Sequence, residues 1–170
     1  MDYLWTPWRF QYISTAGQPS QECLFCQATK EKDDQKLLVV HRANQCLVML
    51  NRFPYNSGHL MIAPNRHIAL LEEASPAELQ EIMQLTAHCQ KGLREIYEPE
   101  GFNTGMNLGK CAGAGVAGHI HMHLLPRWTG DSNFMTVTGE TRVLPEALDV
   151  TYQKVRKFFE SHSEKDRLDY

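Results

Sequence analysis

Five short runs of apolar or alternating residues, bounded by Asn, Pro or Gly, read as β-strands: Leu37–Val40, Cys46–Leu50, His59–Ala63, Phe102–Leu108 and His119–Leu125. A longer period governs residues 75–97. Ser75, Pro76 and Glu78 supply an N-cap, a first-turn proline and the acidic partner of a capping box. Leu79, Ile82, Met83, Cys89, Leu93 and Ile96 then recur close to every 3.6 residues until Pro99, Glu100 and Gly101 stop the helix. A second helix starts near Pro145, with Leu148, Tyr152, Val155 and Phe159 on one face. The expected fold class is α+β: a mostly antiparallel sheet of about five strands with a long helix and a C-terminal helix packed against it.

With 170 residues, the chain suits a single domain. Residues 1–22 form an aromatic arm, 23–128 the core, 129–160 an extension carrying the second helix, and 161–170 a polar tail. The polar stretch 31–36 separates the arm region from the first strand. Trp5 and Trp8 are expected to pack the arm onto the domain or onto a second subunit. A net charge of -3 offers no footprint for a long nucleic-acid backbone, which leaves a small anion held by a local site. The start of the chain lacks a signal-peptide pattern and no apolar run reaches membrane-spanning length, so a cytoplasmic protein without membrane attachment is expected. Five cysteines without an export signal read as thiols or metal ligands rather than a disulfide framework. Cys46, Cys89 and Cys111 read as small buried apolar residues, and His88 and His162 as histidines without a special role.

Chemistry concentrates in G-H-I-H-M-H-L-L-P-R-W at 118–128. On a strand, alternate side chains share a face, so His119, His121 and His123 would form a row while Ile120, Met122 and Leu124 point into the core. Imidazoles in a row can hold a metal or perform nucleophilic and acid–base chemistry near neutral pH. Directly upstream, G-K-C-A-G-A-G-V-A-G at 109–118 forms a Gly-rich loop that could cradle phosphate oxygens, although it lacks the ending of a P-loop.

The run H-I-H-M-H-L-L resembles the signature of the histidine triad (HIT) nucleotide hydrolases and transferases. L-N-R-F-P-Y-N-S-G-H-L-M-I-A-P at 50–64 is similar to that family's nucleotide-binding hairpin in its dinucleoside polyphosphate-cleaving branch. Residues after Pro126 are similar to the bacterial diadenosine tetraphosphate phosphorylases of the family. The resemblance implies a covalent nucleotidyl intermediate on His121, with His59 and His123 on the α-phosphate, and no catalytic metal. It places Asn51 at the ribose and Asn107 near the leaving group, and the loop residues Lys110, Gly113 and Gly115 near phosphate. Relatives carry Gln or a hydroxyl residue where this chain has Gly115 and Val116. A base pocket would form around Leu50 and Phe53. The acceptor separates a phosphorylase, which uses phosphate, from a hydrolase, which uses water. A homodimer, with the long helix at or near the contact, is also implied.

Cys23 and Cys26 have the spacing that lets two thiolates grip one ion. The resemblance completes the set with His67 and His119 and implies structural zinc, with His41 in reserve. Three readings compete with a dinucleoside polyphosphate enzyme. They are a nucleotide-binding sensor or interaction module with negligible turnover, a nucleoside phosphoramidase, and a catalytic metal site built on the three alternating histidines.

Overall fold

A computed structural model describes residues 22–131 and 146–162. Trp5, Trp8 and Pro145 lie outside the described residues. Helices α1 (Leu24–Lys30) and α2 (Asp34–Leu37) precede strands β1 (Val39–Arg42), β2 (Cys46–Leu50) and β3 (Leu60–Pro64). Helix α3 (Pro76–Tyr97), strands β4 (Gly101–Gly105) and β5 (Met122–Arg127), and helix α4 (Leu148–His162) complete the order. All sheet pairings are antiparallel, in the order β1-β2-β3-β5-β4. This is the α+β arrangement expected from the hydrophobic pattern.

Every residue of β2 and β3 is buried because both faces of the sheet are covered. One face carries Val48, Leu50, Leu60, Ile62 and Leu124 against Ile82, Cys89 and Leu93 of α3 and Val155, Phe158 and Phe159 of α4. The other gathers Leu47, Met49, Met61 and Ala63 with Phe25 and Ala28 of α1.

Helix α3 begins as predicted. Ser75 Oγ accepts the Glu78 N–H at 3.2 Å, and Glu78 Oε2 accepts the Ser75 N–H at 2.7 Å. Arg66 clamps the same carboxylate through Nε at 2.9 Å and Nη2 at 2.8 Å. The buried stripe runs through Ile82, Leu85, Thr86, Cys89 and Leu93, whereas Leu79 and Met83, expected to pack, are 38% and 59% exposed. Helix α4 docks where Gly92 leaves room, since a Cβ there would lie 2.6 Å from the Phe158 ring.

Several expected boundaries move. Leu37 closes the one-turn helix α2, capped by Asp33, so the first strand starts at Val39 after Leu38 turns through a left-handed φ of 62°. Part of the polar stretch 31–36 is therefore helical. Strand β4 ends at Gly105, short of Leu108. Helix α4 runs on through His162, into the stretch read as tail. The largest departure concerns the histidine row. Only His123 belongs to the β5 ladder, because the preceding backbone docks elsewhere: Ile120 donates its N–H to Ile68 O at 2.8 Å. Among the described residues, no helix is long and apolar enough to cross a membrane.

Candidate active site and Cys/His cluster

Four histidines meet on the sheet face that carries Met61. His59 enters from the loop before β3, His123 stands opposite Met61 on β5, and His119 and His121 occupy the extended approach to that strand. His59 and His119 are fully buried, and His121 is 4% exposed.

Backbone partners select the tautomers. His121 Nδ1 lies 2.9 Å from the His119 carbonyl, which can only accept, so Nδ1 carries the proton and Nε2 keeps its lone pair. At His59 the logic reverses. The Tyr55 backbone N–H donates to Nδ1 at 3.2 Å, which puts the proton of the neutral ring on Nε2. That N–H reaches His123 Nδ1 at 2.9 Å, so His123 keeps its own proton on Nε2. The outcome is one imidazole with an unprotonated Nε2 beside another with a donating Nε2–H, ring centroids 4.8 Å apart.

Burial keeps these rings neutral. It pushes His121 below the ordinary histidine range, with the hydrogen bond to His119 working the other way. Burial, helped by His121, pushes His123 down to about 4. At neutral pH the pair therefore has a nucleophilic lone pair and a hydrogen-bond donor without net charge.

The other expected nucleotide contacts are placed less uniformly. Asn51 lies beside the histidines: its Oδ1 accepts the Phe53 N–H at 2.9 Å and its Nδ2 stands 3.4 Å from His59 Nδ1. Phe53 is 47% exposed on the same loop. Leu50, expected at the base pocket, instead packs into the helix-side core, where it lines a cavity of about 160 Å³ with Gly58, His59, Glu146 and Thr151. Alternation along β2 puts Leu47 and Met49, not Leu50, on the face of His123. Lys110 and Gly115 are exposed on the Gly-rich loop and Asn107 is half-buried after β4. Gly113 donates its N–H to the Lys110 carbonyl at 3.0 Å, so that amide closes the loop's own turn instead of facing a phosphate. Cys111 is exposed, not buried as expected, while Cys46 and Cys89 are buried.

Two contributors escaped the sequence reading. The Tyr55 backbone N–H fixes the His59 tautomer, and the Tyr55 ring tilts against His59 at 4.8 Å. Gly58 turns the loop into His59 with φ of 77°. Only the N-S-G-H run hints at the second, and a backbone donor leaves no side-chain signal for the first.

Behind the row, Cys23, Cys26, His67 and His119 bring one donor atom each within 4.8 Å of one another. His67 Nδ1 lies 3.1 Å from Cys26 Sγ, and His119 Nδ1 lies 3.4 Å and 3.8 Å from Cys23 and Cys26. Bond lengths for a tetrahedral ion with two thiolates and two imidazoles place sulfur and nitrogen about 3.6 Å apart, so the donor set fits such an ion. His119 Nε2 donates to the Pro64 carbonyl at 2.8 Å, the outer contact that orients a ligating imidazole. His41, the reserve ligand, stacks on Phe159 at 4.5 Å and takes no part.

A profile of the HIT domain matches residues 30–130. A protein named AP-4-A phosphorylase from Mycobacterium tuberculosis strain H37Rv is 38% identical over 151 residues, covering 85% of this chain and 77% of that one. Among solved structures, a zinc-bound histidine triad family protein from Mycobacterium smegmatis superposes with a TM-score of 0.68 at 23% identity, covering 84% of this chain and 96% of its own. A hypothetical histidine triad nucleotide-binding protein from Sulfolobus tokodaii gives 0.67 at 24% identity, covering 87% and 98%. At these identities the two structures share the fold.

Proposed function

The chain belongs to the histidine triad (HIT) family, and from that premise we propose that it cleaves dinucleoside polyphosphates at the α-phosphate through a covalent nucleotidyl-histidine on His121. The observation that carries this reading is the His121 Nδ1 to His119 carbonyl contact at 2.9 Å, which leaves Nε2 free to attack. In the first step the Nε2 lone pair forms a bond to the α-phosphorus. The bond from phosphorus to the bridging oxygen breaks, and the remaining nucleotide leaves with that electron pair. His123 Nε2–H stabilises the oxygen charge that develops, and His59 holds His123 in the donating tautomer. In the second step the acceptor attacks the same phosphorus and the imidazole departs with its lone pair restored.

Inorganic phosphate is the acceptor in this reading, which makes diadenosine tetraphosphate yield ATP and ADP. The name of the relative that is 38% identical supports that choice over water. Asn51 retains hydrogen-bonding capacity for a ribose beyond its contacts to the loop, and Lys110 and Gly115 approach the phosphates from the Gly-rich loop. Phe53, exposed on the loop beside Asn51, supplies apolar surface for the base in place of Leu50. Zinc is the ion that suits the Cys23, Cys26, His67 and His119 set, and its role is structural. The working form is a homodimer, supported by family membership, and residues 23–128 carry the whole nucleotide site.

The test is to incubate the protein with diadenosine tetraphosphate with and without phosphate and to separate the products. ATP and ADP appearing only with added phosphate are expected. Equal turnover without phosphate defeats the phosphorylase reading, and absence of labelled nucleotide on His121 after trapping defeats the covalent one.

A further inference from the structure

The Cys23–Cys26 turn carries a side chain that neither metal binding nor the chemistry above accounts for. Phe25 is fully buried between the two cysteines in sequence. Its ring lies 5.0 Å from His119 and 4.9 Å from His121, tilted by 46° and 36°. The turn that supplies two of the four clustered donors thus also presses an aromatic face on the nucleophile.

Helix α1 has little reason to hold this position on its own. It is seven residues long, its N-cap Cys23 makes no side-chain capping bond, and its first turn carries no acidic residue. Helices that short are marginal in isolation. Among the described residues it is held by burial of Phe25 and Ala28 against Leu47, Met49 and Met61, by Arg42 Nη2 donating to the carbonyl of its C-cap Glu31 at 2.8 Å, and by the meeting of Cys23 and Cys26 with His67 and His119. A grip on the two sulfurs is therefore a grip on Phe25.

The nucleophile needs such a contact. The His119 carbonyl fixes the direction of Nδ1–H, but one hydrogen bond leaves the ring free to rock about it, and Nε2 must lie in line with the leaving oxygen to attack. His123 meets the ring edge to face at 70°, and Phe25 supplies the broader contact.

We propose that Phe25 is a positioning residue for His121, through which the Cys23–Cys26 turn sets the attack geometry of the nucleophile. The proposal rests on the reading of His121 as nucleophile. Metal ligation and catalysis then meet at two points, the His119 carbonyl and the Phe25 ring.

The test uses zinc-loaded Phe25→Leu and Phe25→Met, which keep an apolar side chain of similar size but remove the flat face. Side-chain ¹H–¹⁵N spectra report the His121 tautomer and its exchange broadening without substrate, and elemental analysis reports zinc. The expected result is zinc retained at the wild-type level, a broadened or mixed-tautomer His121 ring, and kcat lower by about tenfold with KM within about twofold. An unchanged His121 ring spectrum in both variants overturns the proposal. So does loss of zinc or of the folded spectrum in both, which would make Phe25 a structural residue only. Because the ring spectrum needs no substrate, failure of the cleavage reading would leave this test standing.

Discussion

Replacing Glu78 by Gln tests whether the start of α3 secures the back of the site. Glu78 is 2% exposed and its carboxylate takes two hydrogen bonds from Arg66 and one from the Ser75 backbone. Those contacts, the Arg66 pair first, hold its carboxyl down from 4.5 to about 2, against the opposing effect of burial. A depression of that size is worth about 3 kcal/mol as a ceiling. The Arg66 side chain is 56% exposed, so water screens part of the attraction, and a loss of about 2 kcal/mol is expected for Glu78→Gln at pH 7. The sign follows from the depressed carboxyl: the stabilisation is complete above the ordinary value of 4.5 and disappears as pH falls toward 2. Denaturant melts of both proteins at pH 7 and pH 3 measure it. The gap should shrink to less than half at the lower pH. A gap that is equally large at both, or under about 0.5 kcal/mol at pH 7, refutes the reasoning. Arg66 adjoins His67, so the same variant should bind zinc more weakly.

Replacing His121 with Ala should lower turnover by about a thousandfold or more while nucleotide binding stays within about tenfold. A loss below tenfold would show that another group attacks the phosphorus, whereas absence of turnover in the wild type itself would favour a binding module over an enzyme. Stripping metal with a chelator should release about one zinc per chain and lower the melting temperature. Elemental analysis of unstripped protein far below that content removes the zinc assignment. At Gly58, a Cβ would lie 3.1 Å from Leu93 Cδ2 and 3.2 Å from Pro126 at a φ of 77°. Gly58→Ala should therefore cost about 2 kcal/mol and slow turnover by displacing His59. Wild-type stability and rate in that variant would show that the loop absorbs the strain.

The long helix was legible because its capping box and its stop are local signals; its buried stripe was less so, since Leu85 and Thr86 are buried while Leu79 and Met83 stay outside. Helix α1 was not legible: only Phe25 and Ala28 of its residues are buried, too few to define a period. Leu50 was misplaced for a different reason. Alternation separates two faces of a strand but does not say which faces the site, and β2 is buried on both. The triad could be read as a motif, yet not the departure of His119 from the ladder, which depends on the Ile68 and Pro64 carbonyls far along the chain. Backbone partners such as the His119 carbonyl and the Tyr55 N–H set the protonation pattern, and no residue code announces them.

Strand β5 is flanked by β3 on one side and β4 on the other, while residues 106–121 connect it to β4 outside the ladder. His123 is thus anchored to an interior seam, whereas His121, the last residue of the connection, is held by the His119 carbonyl, and the Gly-rich link before it is answerable to no strand register. On the proposed reading, a longer or differently charged link before His119 would leave His123 in place and act on how substrate phosphates and the acceptor approach it. Access to the site and the donor that steadies the phosphate could then be tuned as separate traits within one scaffold.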